Sequence, residues 1–154
     1  MMTFVTGSNK KIDHEKIKQA SYWLGNKLMG KRLSNGMGLE VILIPNLRQK
    51  KDAHGLCYNV DTIKSRPREF EIELDSSLSV NTIIQCLCHE MVHVKQGARL
   101  ELKDTPINTA KIWNGKKYNT KRLDYWELPW EIEAHGRERG LYLKLMDHFD
   151  VIGI

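Results

Sequence analysis

Apolar residues recur along this chain at helical and strand spacings, and each spacing predicts an element. Between Asp13 and Met29, the residues Ile17, Ala20, Leu24 and Leu28 fall three or four apart, the stripe of an amphipathic helix. Asp13 suits its N-cap and Gly30 its stop. The run Leu39 to Ile44 ends at Pro45 and predicts a strand, and Leu56 to Val60 predicts a shorter, weaker one. From Glu69 to Leu74 the chain alternates. Phe70, Ile72 and Leu74 face one way, and Glu69, Glu71 and Glu73 face the other, as in a strand with one wet face.

A second helix is predicted from Ser79 to about Gln96, carried by Val80, Ile83, Ile84, Leu87, Met91 and Val94, with Gly97 as its stop. Lys111 to Tyr118 reads as a hairpin, because Asn114-Gly115 suits a type I′ turn. Pro129 opens a last helix reaching about Phe149, with Trp130, Ala134, Leu141 and Leu145 inward. Short connections favour an antiparallel or mixed sheet. With no repeat or linker visible, residues 1–154 are expected to form a single α+β domain.

Composition narrows the class. With 41% hydrophobic and 28% charged residues, the 154-residue chain is globular rather than disordered. It contains no long apolar run for a membrane span, and the start Met1 to Gly7 lacks the features of a signal peptide. Cys57, Cys86 and Cys88 have no framework spacing and read as reduced core thiols. Together these features predict a cytoplasmic protein.

The chemistry sits in the second helix, at His89-Glu90-Met91-Val92-His93. Residues four apart differ by about 40° around a helix, so both imidazoles project from one face and can share a metal ion. Glu90 cannot join them as a ligand, but its carboxylate can take a proton from a water on the same ion. That assigns Glu90 as catalytic base, and His89 and His93 as ligands of Zn2+. Apolar Leu87, Met91 and Val92 surround the motif, and a buried Glu90 is costly unless it serves a site. Glu131 is the candidate third ligand. Ala134, one turn on, permits close helix approach. Glu133 lies about 200° round from Glu131 and points elsewhere, whereas His135, about 40° away, is a rival ligand or a supporting group. Glu127, Glu133 and Glu138 read as a solvated helix face.

His89-Glu90-x-x-His93 followed by Glu131-x-x-Ala134 resembles the gluzincin class of zinc metallopeptidases, especially its small single-domain members. The resemblance covers about Leu39 to Leu145. It implies a zincin-like fold, a metal helix packed on a sheet with a hairpin and a closing helix, and a peptide or protein substrate. It implies His89, His93 and Glu131 as ligands and Glu90 as base. His135 stands where several such families carry an Asp. The DNA-linked proteases related to SprT share the first motif but use a third histidine, and after His93 this chain has only His135 and His148. In gluzincins a strand placed like Glu69 to Leu74 often lies along the cleft and pairs with substrate; an ordinary edge strand kept soluble by its glutamates is the other reading. Tyr118, Tyr125 and His148 are candidate oxyanion donors that spacing does not separate. Trp113, Trp126 and Trp130 read as core or cleft wall.

The net charge of +5 gathers at Arg48 to Lys51, Lys64 to Arg68 and Lys116 to Arg122. All three segments are expected in loops or turns, where a solvated surface is the simpler account and contact with nucleic acid the alternative. A non-catalytic zinc-binding module that keeps the cleft is the remaining alternative. No sequence feature sets an oligomeric state.

Overall fold

The computed structural model describes every residue except Ile63. The chain is α+β. Strand β1 (Met2–Gly7) leads through helices α1 (His14–Met29) and α2 (Lys31–Asn35) to β2 (Gly38–Ile44). Helix α3 (Leu47–Lys51), β3 (Gly55–Asn59) and β4 (Glu69–Asp75) follow, then α4 (Val80–Ala98). Strands β5 (Leu102–Asp104), β6 (Ala110–Trp113) and β7 (Lys116–Asn119) precede the closing helix α5 (Pro129–Ile152).

The main sheet is mixed, in the order β1-β2-β4-β3. β1, β2 and β4 run parallel, and β3 pairs antiparallel with β4, Cys57 opposite Ile72. The predicted strand around Phe70 is therefore an inner strand, flanked on both sides. Both readings that placed it at a sheet edge are corrected: the edges are β1 and β3. The wet face is also only half wet, because the Lys51 ammonium meets the Glu73 carboxylate at 2.7 Å and Glu73 is buried. β1 had no signature of its own, since its largest apolar side chains, Met2 and Phe4, point outward and are 65% and 60% exposed.

α4 and α1 supply the apolar layer over this sheet. Ile17, Ala20 and Leu24 of α1 pack with Val41, Leu43, Ile72, Leu74 and the buried stripe Ile83, Ile84, Leu87, Met91 of α4. α1 is capped as expected, the Asp13 carboxylate accepting from the Glu15 amide, and the Ser79 hydroxyl caps α4 through the Thr82 amide. Gly97 is not a stop. It lies inside α4, where a Cβ would sit 2.8 Å from the ring of Phe70, so its role is close packing against β4. The hairpin forms as expected, with Asn114 and Gly115 at φ 46° and 82°. β5 adds a third strand to it. Arg48 to Lys51 lies in α3, not in a loop. Among the described residues, no helix is long and apolar enough to cross a membrane.

Two helical glycines are predicted to respond in opposite ways. Gly97→Val overpacks the α4–Phe70 contact and is expected to cost about 1–3 kcal/mol. Gly136→Ala meets nothing within 4 Å and is expected to stabilise by up to about 1 kcal/mol. Urea midpoints at constant m-value measure both. A neutral Gly97→Val would show that Phe70 gives way freely.

Candidate metal centre

Helix α4 presents His89 and His93 on the face that α5 crosses. Ala134 of α5 is fully buried, and one turn before it Glu131 reaches both imidazoles. Three atoms converge: His89 Nε2 is 3.2 Å from His93 Nε2, 3.3 Å from Glu131 Oε2, and His93 Nε2 is 3.4 Å from the same oxygen. A tetrahedral ion with bonds of about 2.0–2.1 Å requires ligand atoms separated by about 3.3–3.4 Å. The triangle has the size of one face of such a tetrahedron, and its three residues fit a metal ion.

His135 also offers an atom, within 4.8 Å of those of His89 and Glu131. That set is wider than the triangle through His93. The His135 Nε2 atom faces the Tyr125 hydroxyl at 3.1 Å, and its ring lies against His89 with centroids 4.4 Å apart. His135 therefore borders the triangle without completing it more tightly than His93 does.

Each imidazole is oriented through its other nitrogen, the arrangement that fixes ring and tautomer at metal sites. His89 Nδ1 donates to Glu138 Oε2 at 2.8 Å, and His93 Nδ1 donates to Gln96 Oε1 at 2.8 Å. Gln96 is itself anchored, its amide donating to the Trp130 carbonyl at 2.9 Å. Glu138 and Glu133 are thus not a solvated face. Glu133 pairs with the buried Lys95 ammonium at 2.7 Å, which also meets Glu101 at 2.7 Å. Glu127 is exposed, as expected.

Glu90 is buried beside the triangle, under the edge strand, where a Cβ on Gly55 would come within 2.8 Å of its carboxylate. Burial raises its pKa, an effect that His93 and His89 oppose. For Glu131, burial works against ionisation, but hydrogen bonds from His89, His93 and Tyr125 outweigh it and hold the carboxylate well below its usual range. Burial likewise opposes protonation of His89, yet Glu131, Glu90 and Glu138 lift it to about 8.

Of the proposed oxyanion donors, only Tyr125 is at this site, its hydroxyl donating to Glu131 Oε2 at 2.7 Å. Tyr118 packs edge-on against Trp130, and His148 stacks on Trp23. Trp126 is 66% exposed beside the His135 ring, while Trp130 is buried in the cleft wall and Trp113 leans on it. The cleft, about 1140 Å³, runs along β3 past the triangle, and Cys57, Cys86 and Lys111 also line it. Burial pushes the Cys86 thiol up to about 12 and Cys57 well above its ordinary value.

Gln96 and Glu138 escaped the sequence reading, though a signal for each was present. Gln96 is three residues after His93, and Glu138 is seven after Glu131, two turns on along the same face. Comparisons with family models, with curated proteins and with solved structures find no match.

Because the carboxylates favour protonated imidazoles, an incoming cation must displace protons. Zinc added to the metal-stripped protein is expected to release more protons at roughly pH 7 than at roughly pH 9. Titration calorimetry in buffers of different ionisation enthalpy reads the difference. Equal release at both would mean that the imidazoles are already neutral. Glu138→Gln, which leaves His89 without its carboxylate, is expected to weaken metal affinity about 10–100-fold.

Proposed function

We propose that this chain is a zinc-dependent hydrolase, a gluzincin-type metallopeptidase with a zincin-like fold. The observation that carries the reading is the triangle of His89 Nε2, His93 Nε2 and Glu131 Oε2, with sides of 3.2 to 3.4 Å. Two neutral nitrogens and one carboxylate oxygen are a donor set suited to catalytic zinc, which keeps a further position open. The antiparallel edge strand β3 beside the metal helix, and a closing helix that delivers Glu131, support the same assignment.

Zinc held there supplies a Lewis acid that polarises a carbonyl and brings the pKa of a water to about 7. Glu90, at the cleft and beside the ligands, would accept the proton that water gives up and pass it to the departing amine. Tyr125 places a hydroxyl at the same point, held by Glu131, and turning that O–H away from Glu131 would let it donate to a developing oxyanion. His89 and His93 are fixed by Glu138 and Gln96, so the ligand geometry is set before any ion arrives. The open length of β3 and the apolar wall of Phe70, Leu100, Leu102 and Trp130 suit an extended peptide carrying a hydrophobic side chain.

Purified protein is expected to carry about one zinc per chain, lost in His89→Ala and in His93→Ala. Glu90→Gln should retain the metal and the fold while abolishing cleavage of an unfolded protein substrate, because an amide cannot accept the proton. Glu131→Ala should weaken metal binding. Glu133→Ala should leave zinc in place and act on stability alone, since it deprives Lys95 of one of two carboxylates. Metal analysis with a peptidase assay separates these outcomes. Full activity after chelation, or zinc lost from Glu133→Ala and kept by Glu131→Ala, would sink the assignment.

A further inference from the structure

Four arginines that are far apart in sequence meet in space. Arg32 of α2, Arg66 and Arg68 ahead of β4, and Arg99 at the end of α4 line one open cavity of about 530 Å³. Met29, Leu33 and Gly36 complete its wall. Among the described residues, no carboxylate lines this cavity and none of the four arginines is in an ion pair. Asp61, beside Arg68 in the fold, accepts the main-chain amides of Arg68 and Glu69.

Two of the guanidiniums are held by main-chain carbonyls. Arg68 Nη1 donates to Pro67 O at 2.6 Å and to Ala98 O at 3.2 Å, and Arg99 donates to Met29 O at 3.4 Å. Carbonyls orient a guanidinium without neutralising it. Four like charges brought together on separate elements repel one another, and a bound anion relieves that repulsion. Guanidinium donors match phosphate oxygens two at a time, which an ammonium cannot do.

We propose that this cavity is a binding site for the phosphodiester backbone of nucleic acid, separate from the metal centre and independent of the hydrolase reading. A lone buried phosphate fits it poorly. Arg32, Arg66 and Arg99 are exposed, and the cavity spans several phosphates' worth of charge. No aromatic residue lines it among the described residues, so bases are not stacked there and recognition is independent of sequence.

The test is fluorescence anisotropy of a labelled DNA duplex of mixed sequence against the full chain across a salt series. Each phosphate contact contributes about 0.9 to the slope of log K against log salt. Arg66→Gln with Arg99→Gln is expected to flatten that slope by about 1.8 while zinc content stays native. Lys10→Gln with Lys11→Gln removes the same charge at the other end of the 16-residue α1, about 24 Å away, and should leave the slope nearly unchanged. An equal loss in both variants would reduce the effect to net charge and overturn the site. Absence of salt-dependent binding by the native chain would overturn it too. So would saturation of the cavity by inorganic phosphate alone, read as protection of Arg66 and Arg99 from guanidinium modification, without any DNA binding.

Discussion

Everything at the candidate metal centre depends on how closely α5 can cross α4. Glu131 reaches both imidazoles at 3.3 and 3.4 Å, and Ala134, one turn on along α5, is fully buried and has no side chain beyond Cβ to hold the helices apart. A larger residue there would move α5 outward by more than the tolerance of a metal–ligand bond, about 0.2 Å. The same crossing brings Glu138 to His89 and the Trp130 carbonyl to Gln96, so one helix contact sets both ligands and the groups that orient them.

The charge balance of this region explains its chemistry. Glu90, Glu131 and Glu138 converge on two histidines, and all five groups are buried or half-buried. Carboxylates removed from water are costly unless a cation accompanies them. Without an ion, the protein meets that cost by protonating imidazole, which is why His89 is lifted to about 8. A divalent ion meets it better, since it brings two charges to the point where the three ligand atoms already face each other. Lys95, between Glu101 and Glu133, shows the alternative solution one turn along α4. There a fixed ammonium balances two carboxylates, and no room is left for chemistry.

Much of this was legible in the sequence because it depends on local periodicity. The spacing of His89 and His93 follows from one helix; on another, the angle between Glu131 and Glu133 lets only one of them face those imidazoles, and the Glu131-x-x-Ala134 resemblance points to Glu131. Features that depend on tertiary partners were not legible. Glu73 reads as a solvent-facing residue until Lys51, 22 residues earlier, reaches its carboxylate. Gly97 reads as a helix stop until Phe70 is seen against it. The strand around Phe70 alternates like an edge strand, yet β3 covers its flank; alternation reports which faces are buried, not which edges are paired. β1 was hidden for the converse reason, since its large apolar residues face solvent.

Helix α4 also keeps two opposed fields apart. Carboxylates gather at its middle, around His89 and His93, and guanidiniums gather at its C-terminal end, around Arg99. His93 and Arg99 are six residues apart, an axial distance of about 9 Å, and at physiological ionic strength exposed charges are screened over about 8 Å. The arginines are mostly exposed and the carboxylates mostly buried, so neither set neutralises the other. If the two had been placed side by side, guanidinium would have paired with Glu131 or Glu138 and occupied the ligand oxygens itself. The four carbonyls at the end of α4 carry the negative pole of the helix dipole and favour cations there. The Ala98 carbonyl accepts from Arg68, so that pole helps to hold the basic cluster at the far end of the helix from the acids. The net charge of +5 is therefore not a uniform coat. Carboxylates of α4 and α5 gather around the two histidines, while guanidiniums from α2, the approach to β4 and the end of α4 gather at the C-terminal end of that helix.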